Sequence, residues 1–98
     1  MTGTRRSSAG LDERRRRILY RSWHRGFREM DMIVGQFADA EIGDMTEAEL
    51  DAFEHLIDAP DHDIYAWIAD KTPTPSNYDT PIFRRLKAFH SHLGPIHV

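Results

Sequence analysis

The sequence predicts an all-α protein, a compact five-helix bundle, on three observations. Apolar residues recur at three- and four-residue spacing in one segment after another, no segment sustains the alternation of a half-buried strand, and residues that start or stop helices divide the segments. Ninety-eight residues suit a single domain, which at this size buries roughly two-thirds of its unfolded surface. The domain is expected over 11–98, after a disordered tail over 1–10.

A first helix is predicted over 11–24, with Leu11, Arg15, Ile18, Leu19 and Trp23 on one side and the Arg15 stem lying along it. A second runs over 26–41, where Met30, Ile33, Val34, Phe37 and Ala38 form a core-facing stripe. Counting about 100° per residue places Arg25, Arg28, Glu29, Met32 and Gln36 on the opposite side, with Asp31 on the flank. Ile42-Gly43-Asp44 breaks this helix. Thr46-Glu47-Ala48-Glu49 is a capping box that opens a third helix carrying Leu50, Phe53, Leu56 and Ile57. Pro60, among Asp58, Asp61 and Asp63, opens a short fourth helix with Ile64, Trp67 and Ile68 inward, because proline and acids both suit a helix N-terminus. Two prolines force 71–77 into a loop. Thr80 then caps and Pro81 begins a fifth helix bearing Ile82, Leu86, Phe89 and Leu93, ended by Gly94-Pro95.

Composition narrows the chemistry. The absence of cysteine excludes disulfides, thiolate catalysis and cysteine-held metal or iron–sulfur groups. No apolar run approaches the roughly 20 residues that cross a bilayer, and the N-terminus has neither a secretory core nor an amphipathic transit pattern. No membrane insertion is expected, and a bacterial-type cytoplasmic setting is preferred to the mitochondrial matrix. The net charge of −3 conceals a division. Residues 1–28 hold nine arginines against two acids, whereas 39–63 hold ten acids and no lysine or arginine, an asymmetry expected to steer encounters with charged surfaces.

Several features tempt other readings. Arg14 to Arg17 could neutralise phosphates, yet the run wraps its helix and the rest of the chain is acidic, so nucleic acid is not expected as a partner. His90, His92 and His97 do not converge as zinc ligands must, so no metal is expected. There is no phosphate-cradling glycine loop for FAD pyrophosphate, and no nucleophile with an orienting base, so neither stable FAD binding nor enzymatic activity is expected. Among the aromatics, Trp67 and Phe89 belong to apolar stripes, while Phe27 and Tyr65 are free to meet a partner.

Arg25-Gly26-Phe27-Arg28-Glu29-Met30-Asp31 stands out. An arginine fork can grip a carboxylate or carbonyl, and glycine lets another surface approach closely, so the segment reads as a contact surface as well as a helix start. Arg25-Gly26-x-x-Glu29, after Trp23-His24 and before Met30-Asp31, closely resembles the signature of the SdhE family of small FAD assembly factors. Asp61-His62-Asp63-Ile64-Tyr65-Ala66-Trp67-Ile68 resembles that family's acidic, aromatic and tryptophan segment, and Leu93-Gly94-Pro95-Ile96 its C-terminal ending. The likeness covers about 14–98, and 1–13 match nothing in it.

This resemblance implies a five-helix bundle that binds the flavoprotein subunit of succinate dehydrogenase, and often fumarate reductase. It implies promotion of covalent attachment of FAD to a histidine of that subunit, without this chain doing the chemistry. It carries over Arg25, Gly26 and Glu29 as the core of the site, with Arg28 and Asp31 beside them; Phe27 and Tyr65 complete the expected partner-binding set. Arg25 is expected to bond the partner, Gly26 to permit close approach, and Glu29 to pair with a basic group on the partner or to fix Arg25. Both charged groups must then be reachable from outside, and Gly26→Arg or Glu29→Ala should leave folding nearly intact. The competing class is a helical interaction module for another client, of antitoxin type.

Overall fold

Each predicted helix forms, and the first, third and fifth begin at side-chain caps. The computed structural model describes residues 10–92, which make α1 (Glu13–Ser22), α2 (Arg28–Glu41), α3 (Glu47–Ile57), α4 (Asp61–Ile68) and α5 (Pro81–His92). A single 3-10 turn, Ile42–Asp44, separates α2 from α3, and no strand occurs among the described residues. Residues 1–9 of the tail expected over 1–10, and the Leu93-Gly94-Pro95-Ile96 ending, lie outside the described residues.

Two starts fall later than the periodicity predicts. α1 begins after Asp12, whose carboxylate accepts the Arg15 N–H at 2.8 Å, so Leu11 packs into the core as a pre-helix residue. α2 begins at Arg28 because Phe27 is extended, which leaves Arg25 and Gly26 in the connecting turn and off the helix face where the angular count placed them. The other starts follow their local signals. Glu49 N–H donates to Thr46 Oγ1 at 3.1 Å while Thr46 N–H donates to the Glu49 carboxylate at 2.9 Å, and Phe83 N–H donates to Thr80 Oγ1 at 3.2 Å. Pro60 occupies the N-cap position, one residue ahead of the first turn.

α1 packs on α2 and α3, and α5 lies across the same two helices. Phe37 of α2 joins the layers, with edge-on contacts to Phe53 of α3 and Phe89 of α5 at 5.7 Å each. The stripe of α2 is buried throughout, as are Leu50, Phe53, Leu56 and Ile57 of α3 and Ile64, Trp67 and Ile68 of α4. Tyr78 stacks between His55 and Trp67, at 4.6 and 5.0 Å, and pins the loop ahead of α5 to the core. Gly35, inside α2, makes room for Trp23: a methyl there would lie 2.5 Å from Cε2 and 2.7 Å from Cε3 of the indole. The indole N–H reaches Asp39 at 3.2 Å.

The charge division resolves largely into internal pairing, a correction to the expectation that it serves encounters. Arg14 spans three carboxylates of α3, Glu47 at 3.1 Å and Asp51 and Glu54 at 2.7 Å each. Arg15 donates to the Ile42 carbonyl at 3.0 Å and to the Met45 carbonyl at 2.5 Å, closing the turn after α2. Arg16 bonds the Leu11 carbonyl at 2.7 Å and Arg21 pairs with Asp58. From α5, Arg85 holds both Glu41 and Glu49. The four-arginine run is therefore mainly structural, and only Arg17 of the four makes no hydrogen bond or ion pair among the described residues.

Near the end of α5, His90 Nε2 is buried with no partner among the described residues, and burial pushes this imidazole below its ordinary value of 6.5. A base whose folded value is lowered favours the neutral form in the fold. The corresponding stability is complete above 6.5 and is lost as pH falls through the folded value. The melting temperature should therefore decline between neutral pH and about pH 5, and His90→Leu should flatten that limb. Equal slopes for the two proteins in thermal melts would refute the assignment.

Candidate functional site

The turn Arg25-Gly26-Phe27, which joins α1 to α2, is bound by neighbours on three helices. The Arg25 side chain is only 8% exposed and its partner Asp61 15%, so both charges are largely withdrawn from water. Nε of Arg25 donates to Asp61 Oδ1 at 2.8 Å, Nη2 lies 2.7 Å from the same oxygen as an ion pair, and Nη2 donates to the Ile57 carbonyl at 2.7 Å. Ile57 is the last residue of α3 and Asp61 the first of α4. The cation thus lies at the negative end of one helix dipole and the anion at the positive end of the next, where each is favoured.

Gly26 N–H donates to the other oxygen of Asp61, and Arg25 N–H donates to Asp31 Oδ1 at 2.5 Å. A Cβ at Gly26 would lie 2.6 Å from Asp61 Oδ2. A side chain at this position would force the Asp61 carboxylate to shift. The expectation that Arg25 opens towards a partner is corrected: its guanidinium serves an internal junction, held by Asp61, with no part taken by Glu29, whereas Gly26 is exposed while its N–H bonds Asp61. Gly26→Arg would displace Asp61 and lower the melting temperature, so it does not separate docking from folding.

The rest of the segment faces outward. Phe27 stacks on His62 at 4.9 Å and meets the edge of Tyr65 at 5.8 Å, while the Lys71 ammonium lies 5.4 Å from the Tyr65 ring centroid. Tyr65 itself is buried, leaving Phe27 and His62 as the accessible part of this cluster. Arg28 is exposed and Glu29 half-exposed, and neither makes a hydrogen bond or ion pair with a described residue. Glu29 therefore meets the requirement of being reachable and Arg25 does not. Asp31 is committed to capping the turn. Met32, one helical turn beyond Arg28, is 44% exposed, and Tyr20 of α1, stacked on His24, is 63% exposed.

The sequence places Arg28 and Glu29 correctly on the open side of α2. It does not reveal Asp61 as the counterion of Arg25, although an acid in the first turn of α4 is the available signal, nor His62 as the stacking partner of Phe27. The site offers hydrogen-bonding charge of both signs beside an aromatic ledge. Such a surface suits recognition of a polypeptide.

Comparison with known proteins accords with this geometry. The family described as "Flavinator of succinate dehydrogenase" matches residues 16–90. The chain is 37% identical over 87 residues to the mitochondrial succinate dehydrogenase assembly factor 2 of Scheffersomyces stipitis, covering 85% of this chain and 58% of that protein. It is also 37% identical over 76 residues to the FAD assembly factor SdhE of Acetobacter pasteurianus, covering 78% and 70% respectively. The Danio rerio assembly factor 2 is 37% identical over 86 residues, 86% of this chain and 54% of the relative. The chain thus spans from a little over half to 70% of the length of these proteins. With the matched region running from α1 through α5 and including the whole braced turn, the chain belongs to the SdhE family of FAD assembly factors, the flavinators of succinate dehydrogenase.

Proposed function

We propose that this chain is a FAD assembly factor that binds the flavoprotein subunit of succinate dehydrogenase, with that of fumarate reductase as a second client. It promotes covalent flavinylation by holding the client in an attack-competent conformation. Joining a flavin methyl carbon to a histidine nitrogen requires the methyl to give up a proton while the ring takes up negative charge. Geometry and local charge in the client therefore govern the rate. The chain supplies neither nucleophile nor base in this reading and binds no FAD stably on its own; it acts as a clamp.

The observation that carries the proposal is the pair Arg28 and Glu29, without partners among the described residues, on a helix turn whose preceding residues are fastened to three helices. Charges carried on a helix start that is already fixed spare the complex the cost of ordering that backbone, and their charge-assisted bonds remain available to a client. Likeness to the Acetobacter pasteurianus protein supports a bacterial cytoplasmic setting, while mitochondrial relatives are equally similar. No helix among the described residues is long and apolar enough to cross a membrane.

The test is co-expression of the succinate dehydrogenase flavoprotein subunit with wild-type or variant chain, read as flavin fluorescence in a denaturing gel. Glu29→Ala and Arg28→Ala should each cut covalent flavin on the order of tenfold, as for residues near the centre of an interface, with helicity and melting nearly unchanged. Undiminished labelling with both variants would refute the reading.

A further inference from the structure

We infer that Asp61 is a positioning residue for the docking face, and that the Arg-Gly half of Arg-Gly-x-x-Glu is a brace that aims the half containing Arg28 and Glu29. The inference rests on the client-binding reading above. It starts from the division of one carboxylate between two tasks: Oδ1 accepts from Nε of Arg25 and pairs with its charge, and Oδ2 takes the Gly26 N–H. A methyl group at position 26 would fall 2.6 Å from Oδ2, so any other residue there must push the carboxylate away from the geometry that makes both bonds.

The consequence reaches α2 directly. Phe27 is the N-cap residue and has no side-chain capping bond, so the direction in which α2 starts is not fixed by a cap of the usual kind. It is fixed by the two preceding residues, through Asp61, Ile57 and Asp31, and by the stack of Phe27 on His62, the residue that follows Asp61. Asp61 and His62 thus hold consecutive residues of the turn from one helix end. Loosening Asp61 frees Gly26 and Arg25 and shifts the platform under Phe27, and Arg28 and Glu29 then project from an unfixed start. The carboxylate never has to touch the client to matter.

Asp61→Asn keeps the shape and one acceptor but removes the charge that binds the guanidinium. In a titration of full-length chain against purified apo-flavoprotein subunit with FAD, run well below the melting temperature, half-maximal covalent labelling should need about tenfold more Asp61→Asn than wild type. That shift corresponds to a docking arrangement populated about a tenth as often, and the maximal rate at saturation should stay within about twofold, because bound client restores the arrangement. A purely structural role would raise the half-maximal concentration only by the reciprocal of the folded fraction, which stays close to one well below the melting temperature. Glu29→Ala should also lose much of its own effect in the Asp61→Asn background, since an unaimed carboxylate contributes little. In 1H–15N spectra the Gly26 amide of the wild type should exchange slowly, and that protection should vanish in Asp61→Asn.

An unchanged half-maximal concentration for folded Asp61→Asn would overturn the inference, as would a full-sized Glu29→Ala effect in that background. Should Asp61→Asn fail to fold, Arg25→Lys takes its place: it keeps a cation for Asp61 but cannot also reach the Ile57 carbonyl, and a shift of about threefold is expected, with no shift counting against the brace. If Glu29→Ala and Arg28→Ala are silent in the wild-type background, client binding through this face is what fails. If they act and Asp61→Asn does not, only the brace fails.

Discussion

Gly35→Ala should lower stability by about 2–3 kcal/mol and the melting temperature by roughly 10–20 °C, although alanine is the better helix former by about 1 kcal/mol. The sign follows from Trp23. Its indole lies against the bare Cα, with ring carbons 2.5 and 2.7 Å from where the methyl would stand, and it is anchored by its N–H to Asp39 at 3.2 Å. The ring can yield only by breaking that bond and moving α1 away from α2, because Trp23 is buried at their contact. Thermal melts followed by circular dichroism and tryptophan fluorescence decide it. A higher melting temperature would mean that the indole swings aside freely and that the close approach is incidental.

Arg25→Ala is expected to cost about 3–5 kcal/mol, the range for breaking a largely buried pair from one side. The alanine leaves Asp61 without its cation and the Ile57 carbonyl without a donor. Asp61→Ala should be similarly damaging, since it leaves a guanidinium and the Gly26 N–H unsatisfied. The double variant should lose less than the sum of the singles by about 1–3 kcal/mol, because each single strands the partner that the other removes. Strictly additive losses in denaturant unfolding would show that the two side chains act separately. Single losses below about 1 kcal/mol would show that water reaches the pair and screens it.

What was legible in the sequence was local. Thr46 and Glu49, three residues apart, announce their own cap, and Thr80-Pro81 does the same for α5, because the bonded groups are neighbours along the chain. The apolar stripe of α2 needed only the helical period. Arg25 was misplaced because the angular count was carried back through Gly26 as if the helix began there, whereas the extended Phe27 interrupts it. Its counterion is 36 residues away, and nothing within a single segment chooses among the ten acids of 39–63. Gly35 carries no signal by itself. Its meaning comes from an indole twelve positions earlier that returns across the helix pair. Arg28 and Glu29 were placed correctly because solvent exposure on α2 follows from the period alone, whereas their lack of partners among the described residues emerges only in three dimensions.

The long ionic staples also bear on how the chain matures during synthesis. Arg14 waits for Glu47, Asp51 and Glu54, Arg21 for Asp58, and Arg25 for Asp61, all 33 to 40 residues downstream. Residues 14–28, seven arginines and no acid, therefore leave the ribosome before most of the carboxylates that pair with them, and Arg14, Arg21 and Arg25 have no counterion until α3 and the head of α4 have been translated. The docking turn is completed at that same late moment, so a truncated nascent chain has no competent face with which to engage a client prematurely.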